Sequence, residues 1–341
     1  MVTIKDVART AGVSVATASR ALNDSPKVTE RTRERVRRAA AGLHYTPHSG
    51  ARSLITSRTH TIGILLPDLY GEFFSEIIRG IDQAAQRAGY HCLVAGARHT
   101  GPPLESALRS LRGRVDGLIL MSPEFTGDLS RRTLPEGFPV VLVHCPPGEL
   151  THPSLMIANR EGAAAMVRHL AALGHRRIAI IRGAEGNFDA AERLRGYREA
   201  LEECGLTRSP ELEVPGDFGE ESGAAAARRL MALPDPPTAI FAANDSMAIG
   251  ALSAVRDLGL RVPEDIALGG FDDIPMARYL SPPLTSVHVD IAELGARATE
   301  LLLRQLAGAD GRAPTREILP TSLVIRQSCG ASLTTPRRNA V

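Results

Sequence analysis

The stretch VSVATASRALN, Val13 to Asn23, decides how the chain begins and what its head can do. Just upstream, TIKDVARTAG carries Thr3 and Asp6 at the S/T-x-x-D/E spacing of a helix N-terminus. Ile4, Val7, Ala8 and Ala11 recur there at helical period. Gly12 can adopt the positive φ that ends a helix and turns the chain sharply. Ser14 then stands where it can cap a second helix, with Ala18 and Leu22 on its buried side. A third amphipathic segment, about Thr29 to Ala41, brings Val36, Ala39 and Ala40, with Leu43 just beyond. Two short helices across a tight glycine turn, braced by a third, describe a helix-turn-helix DNA-binding unit.

Charge supports that reading. Residues 1–60 hold eleven Lys/Arg against four Asp/Glu, a net of +7, in a chain whose total is +2, which leaves about −5 for the rest. A basic surface confined to one end is the footprint of phosphate binding. The alternative is a plain three-helix domain with a solvated basic face.

At 341 residues the chain is too long for one ordinary domain. It has no apolar run long enough to span a membrane and no secretion signal at its polar N-terminus, so a cytoplasmic protein is expected. Cys92, Cys145, Cys204 and Cys329 form no C-x-x-C pair or Cys/His cluster, which points to free thiols and neither disulfides nor a metal site. From Thr59 the texture becomes alternating strands and helices. THTIGILLP, HCLVAG, VDGLILMS and FPVVLVH read as strands around the helix FFSEIIRGIDQAAQRAG. After Arg160 the theme restarts, with RRIAIIRG, TAIFAAND and DIALGGFDD as strands between helices. Two successive α/β blocks imply parallel sheets in two lobes, with a cleft at the carboxyl ends of the strands.

The segments TIKDVARTAGVSVATASRALN and VTERTRERVRRAAAGLHYTPHSGARSL closely resemble the N-terminus of the lactose-repressor (LacI) family of bacterial transcription regulators. PDLYGEFF, LGHRRIAIIRG, ERLRGYREAL, FAANDSMAIGAL, VPEDIALGGFDD and SPPLTSV continue the resemblance in order through the family's periplasmic-binding-protein-like core. The expected fold is an all-α helix-turn-helix N-terminal domain plus an α/β bilobal core of two parallel-sheet subdomains. The expected divisions are a head over 1–46, a hinge and linker over 47–60, an effector-binding and dimerisation core over 61–330, and a polar tail over 331–341. The tail lacks the leucine heptads that pair dimers into tetramers.

Several site residues follow from chemistry and several from the resemblance. At the start of the second helix Val15 and Ala16 occupy the positions that most often set operator choice in the family. Arg20, one turn on, can give two parallel bonds to guanine O6 and N7. Ser14, Thr17, Ser19, Asn23, Thr32 and Arg33 are expected as phosphate contacts and caps. The resemblance implies a hinge helix whose Leu54 wedges into the minor groove of a palindrome, favouring a central CG step. His48 stands there where the family usually has Asn.

In the core, one of Phe73 and Phe74 is expected in the packing and the other, by resemblance, as an apolar wall. The resemblance also gives Arg193 and Asp272 as ligand-binding residues and Phe218 as an aromatic that closes the pocket. Asn244 can donate and accept, and Asp189 is expected on the loop before Arg193. His144 replaces the Asp of many relatives, and Ala158 precedes Asn159 where Asp-Asn is usual. Asp272 and Asp273 are adjacent, so their side chains diverge and do not meet on one substrate atom. No phosphate loop, zinc-hydrolase or nucleophile-elbow motif is present, so neither catalytic residues nor a cofactor are expected. The whole reads as a homodimeric, ligand-responsive repressor on a palindromic DNA operator, with a sugar or sugar derivative as small-molecule effector. A purine or nucleoside corepressor is the alternative. A solute-binding protein of the same core would have no use for a basic head.

Overall fold

The computed structural model describes residues 2–45, 58–96, 104–122, 127–145, 152–308 and 315–331. His48, Leu54, most of the expected hinge and the tail beyond 331 lie outside them. The chain divides into two units, residues 1–61 with 113–116, and residues 62–112 with 117–341.

The head is built from α1 (Ile4–Ala11), α2 (Val15–Leu22) and α3 (Glu30–Gly42). Asp6 accepts from the backbone N–H of Thr3 at 3.0 Å and from its hydroxyl at 2.7 Å, which closes the start of α1. Gly12 ends that helix at φ +62°, a conformation that costs a glycine nothing. Val7, Ala8, Ala11, Ala18, Ala21, Val28, Val36 and Ala40 form the core of the head. Small residues dominate that core, so the three helices approach closely without large side chains. On α2 the fully buried pair is Ala18 and Ala21, with Leu22 only half-buried, because the helix rolls its alanines toward α1 and α3.

The second unit carries two six-stranded sheets. The first has the order β11-β5-β4-β3-β1-β2, from β1 (Thr61–Leu66), β2 (His91–Gly96), β3 (Gly117–Leu120), β4 (Val140–Val143), β5 (Ser154–Ile157) and β11 (Arg316–Leu319). The second has the order β12-β10-β9-β8-β6-β7, from β6 (Ile178–Ile181), β7 (Glu213–Val214), β8 (Ala239–Ala242), β9 (Ala267–Asp272), β10 (Thr285–His288) and β12 (Ser322–Val324). The inner strands β3, β4, β6 and β8 are buried at every residue, the signature of parallel strands covered on both faces. Pairing is parallel except at the edge, where β12 runs antiparallel to β10.

Helices cover the sheets in pairs. Along the first sheet lie α4 (Glu72–Arg87), α5 (Leu104–Leu111), α6 (Gly127–Thr133) and α11 (Ile291–Leu306). Flanking the second are α7 (Asn159–Ala172), α8 (Phe188–Glu203), α9 (Glu220–Met231) and α10 (Asp245–Asp257). The crossing of α4 and α11 requires glycine, since a Cβ on Gly80 would lie 1.9 Å from the carbonyl oxygen of Ala292.

The lobes are not simply successive. After β10 the chain crosses back, so that α11 packs on α4 and β11 extends the first sheet beside β5. It then returns once more to place β12 in the second sheet. Three crossovers therefore join the lobes, at Ala158, at Val289–Asp290 and at Pro320–Thr321. Ala158 ties two of them together, donating its N–H to Leu319 at 2.9 Å and accepting from the Thr321 hydroxyl at 3.2 Å. Among the described residues no helix is long and apolar enough to cross a membrane.

Candidate functional site

In the head, the start of α2 is presented to solvent. Ser14 caps it, its hydroxyl accepting from the N–H of Thr17 at 3.1 Å and pairing with the Thr17 hydroxyl at 2.8 Å. Val15, Ala16 and Arg20 are exposed on the same helix. Exposure of an apolar Val15 on the face that carries Arg20 leaves both open to a partner. Ser19 and Asn23 lie one turn apart along α2, and Thr32 meets Thr29 at 3.0 Å at the start of α3. Arg33 is turned inward. It pairs with Glu30 and Asp24 and donates to the carbonyls of Ser25 and Val28 at 3.1 and 3.3 Å, so it braces the turn between α2 and α3.

In the core, the strand ends bring most of the anticipated residues together. The chain leaving β4 reaches His144, which sits at φ +54° and is buried. The start of α8 supplies Asp189 and, one turn on, Arg193, both buried. Asp272 ends β9 at φ +108° and is also buried. Asn159, the first residue of α7, stands between them. Its amide donates to Asp189 Oδ1 at 2.6 Å and accepts from Arg193 Nε at 2.8 Å. The other Asp189 oxygen meets His144 Nδ1 at 2.6 Å, a contact from the first lobe to the second. Arg193 lies 3.3 Å from Asp272 Oδ1, donates to the carbonyl of Ala243, and stacks its guanidinium 3.8 Å from the centre of the Phe271 ring.

Electrostatics differ across this network. Burial pushes the Asp272 carboxyl up to about 6, although the Arg193 guanidinium pulls against it. Burial also acts to raise Asp189, but His144, Arg193 and Asn159 together hold it below the ordinary carboxylate range. Asp245, fully buried at the start of α10, is raised well above that range by burial first and then by Asp272. It accepts from the Ser286 hydroxyl at 2.6 Å and the Ile274 N–H at 2.9 Å, which fixes the turn after Asp272. Asp273 faces the other way, with Arg326 at 2.7 Å and His288 at 3.0 Å. The divergence read from the sequence holds.

Aromatic walls complete the site. Phe73 meets Phe74 edge-on at 5.5 Å and also meets the His144 ring at 5.9 Å. Both phenylalanines are half-buried. Phe218, at φ +74°, rests its ring against Gly183. Its carbonyl accepts from the Asn244 amide at 3.0 Å, while the Asn244 oxygen caps α10 through the Met247 N–H. Asn244 is therefore spent on local structure.

Open volume is present at the mouth of the cleft. A cavity of about 290 Å³ is lined by Tyr70, Glu72 and Ser75 from the first lobe and Glu220, Ser246, Ile249 and Met276 from the second. Glu72 also accepts from the Met276 N–H across the cleft at 2.8 Å. Sequence reasoning missed these residues and Asn159. Glu72 and Ser75 flank Phe73 and Phe74, and Ser246 and Ile249 follow Asn244, at the same helix starts. Among the described residues no group of three or more metal-binding side chains is present.

Residues 3–48 match the bacterial regulatory proteins of the lacI family, and residues 167–329 match the periplasmic binding protein-like domain. The chain is 38% identical to the HTH-type transcriptional repressor CytR of Escherichia coli (strain K12), over 96% of each. The chain belongs to the lacI family of bacterial regulatory proteins. Its similarity to the ribose operon repressor of Haemophilus influenzae is 36% identity, over 96% of this chain and 98% of that one. In three dimensions it resembles the lac repressor dimer bound to operator and the anti-inducer ONPF, with a TM-score of 0.85 and 31% identity over 96% of this chain and 99% of that one. This lacI-family chain is thus a DNA-binding transcription regulator with a ligand-responsive core, and not an enzyme.

Proposed function

We propose that the protein acts as a homodimeric repressor of a palindromic operator, with a sugar or sugar derivative held in the cleft between its lobes. The observation that carries the effector reading is the buried pairing of Arg193 with Asp272, set on the Phe271 ring and held from behind by Asn159. A guanidinium beside a carboxylate donates and accepts at adjacent points, the pattern that neighbouring hydroxyls satisfy. His144 and Asp189 extend the polar floor, and Phe73, Phe74 and Phe218 supply the walls. The mouth of the cleft, with Ser75, Ser246 and Tyr70, adds further hydroxyl partners.

In the head, Val15 and Ala16 meet base edges and Arg20 grips guanine. Ser14, Thr17, Ser19, Asn23 and Thr32 serve as phosphate contacts and caps. Leu54, by the family resemblance, is the minor-groove wedge. The apolar side chains left in solvent away from the cleft lining, Leu69, Leu258 and Tyr279, support a second copy as partner. Effector binding then shifts the population between two lobe arrangements, limited by its differential affinity for them.

A nucleoside or purine is the second reading, favoured by the edge-to-face phenylalanines, which leave flat faces for a ring. Thermal unfolding of the full chain against pentoses, hexoses, disaccharides and nucleosides separates the two. A raised midpoint with sugars alone supports the first reading. A raised midpoint with nucleosides alone moves the assignment to the second.

A further inference from the structure

Two side-chain atoms in the base of the cleft are sealed from solvent and short of hydrogen bonds: His144 Nε2, which has no partner among the described residues, and Asp272 Oδ1, which has the Arg193 guanidinium at 3.3 Å as an ion-pair contact. Orphaned polar atoms of this kind are rare in a folded chain, and each costs free energy until something meets it. The two belong to opposite lobes, with His144 held against Asp189 and Asp272 against Arg193.

What His144 offers is decided by its other nitrogen. Nδ1 lies 2.6 Å from Asp189 Oδ2. Asp189 is an ionised carboxylate, whose other oxygen already accepts from Asn159, and a carboxylate can only accept. Nδ1 therefore carries a proton. A doubly protonated ring would leave a charged Nε2–H buried without an acceptor, a costlier state than an unmet lone pair. The neutral ring, with Nε2 as acceptor, is the form this geometry stabilises.

We infer that His144 is a specificity-determining residue, with Asp189 as the positioning residue that sets its tautomer, and that the effector presents a hydrogen-bond donor, a hydroxyl or an amino N–H, to Nε2. The inference rests on the cleft being the effector site. It sharpens that reading, because Asp272 Oδ1 is a second acceptor and the two together demand a ligand whose buried face carries donors. A ligand that sets a carbonyl oxygen against Nε2 is refused. The imidazole offers an acceptor there without adding a negative charge beside the ionised Asp189.

The substitution Asp189→Asn makes a sharp test. Asn is isosteric and still accepts from Asn159 through its oxygen. Its Nδ2–H now donates to His144 Nδ1, which moves the ring proton to Nε2 and turns the acceptor into a donor. Long-range ¹H–¹⁵N spectra of the full chain labelled at histidine read this directly, with His144 assigned by its loss in His144→Asn, a residue that tolerates the positive φ. The expected result is a bare Nε2 in the wild type and a bare Nδ1 in Asp189→Asn. Matched probes then report recognition: sugars beside their deoxy analogues, and adenosine beside purine riboside, which lacks the 6-amino group. The wild type should prefer the donor-bearing member, and Asp189→Asn should lower its affinity for that member by about tenfold or more.

A protonated Nε2 in the wild type overturns the inference, and that spectrum does not depend on Asp189→Asn folding. So does a probe ranking unchanged in Asp189→Asn, which would leave the effector reading of the cleft standing. If no sugar or nucleoside raises the unfolding midpoint or moves the Nε2 resonance, the effector reading fails and this inference falls with it.

Discussion

Arg193 donates from Nε to Oδ1 of Asn159 across 2.8 Å, and the same amide donates from Nδ2 to Asp189 at 2.6 Å. One neutral side chain at the first residue of α7 thus holds both buried charges of the cleft in register, directly after the Ala158 crossover. Asn159→Ala removes two hydrogen bonds to charged groups and leaves both ions short of a partner. The expected loss of stability is about 2–4 kcal/mol, read by urea unfolding with the slope unchanged. A loss under about 0.5 kcal/mol would mean that the network re-pairs without the amide.

Asp272 gives the chain a pH dependence of definite sign. Its folded value, about 6, lies above its unfolded value, so folding disfavours the ionised form. The unfolded chain loses this proton first as pH rises. The group therefore lowers stability progressively between about pH 4 and pH 6, by about 3 kcal/mol in all. Asp272→Asn keeps the size and tolerates φ +108°, but cannot ionise. Relative to the wild type it should gain stability as pH rises from 4 to 7, on top of a pH-independent cost from the partner Arg193 loses. A difference that stays flat over that range would remove Asp272 as the titrating group. Asp245, raised partly by Asp272, should fall toward the ordinary carboxylate range in the same variant.

The head predicts a separable defect. Arg20 is exposed on α2, with a free reach from the capped end that Ser14 sets. Arg20→Ala should cost about 1–3 kcal/mol on the preferred operator and relax the requirement at one base pair per half-site. A uniform loss across all sequences, with a shallower salt dependence, would make Arg20 a phosphate contact instead. Arg33→Ala should act through stability of the head, since its guanidinium is engaged with Asp24, Glu30 and two carbonyls.

The covering of the first sheet depends on a glycine. A Cβ on Gly80 would meet the backbone of Ala292, which has no flexible end to move aside. Gly80→Ala should therefore force α4 and α11 apart and cost about 1–3 kcal/mol, even though alanine favours helix. A stabilised variant, by differential scanning calorimetry, would show that the two helices can separate freely.

How much of this was legible in the sequence follows from how far each feature reaches along the chain. The head could be read almost to the residue because its signals are local: Thr3 with Asp6, Gly12, and Ser14 with Thr17 all act within three or four positions. The inner strands were equally plain as short apolar runs. The return of α11 and β11 to the first lobe was not, because helical periodicity does not state which sheet a helix will cover; the IAELGARATELLLRQL helix fits either. In the cleft, Arg193, Asp272, Asp189 and His144 do converge, but Asn159, which ties them, looked like an ordinary start of a helix. Its role comes from contacts 30 and 34 residues away in the chain. The open volume at Glu72 and Glu220 is a product of how two lobes meet, and no single stretch encodes it.

The central claim is that one chain couples a small molecule in the cleft to an operator at the head. Its most direct measurement is a fluorescence titration of a labelled palindrome with a central CG at fixed salt. Wild type and Asp272→Asn are compared, each with and without the sugars and nucleosides that raise the wild-type unfolding midpoint. The account predicts salt-sensitive binding by both proteins and a change in operator affinity on adding ligand in the wild type alone. Operator binding that no ligand alters, or a ligand response that survives in Asp272→Asn, would contradict it.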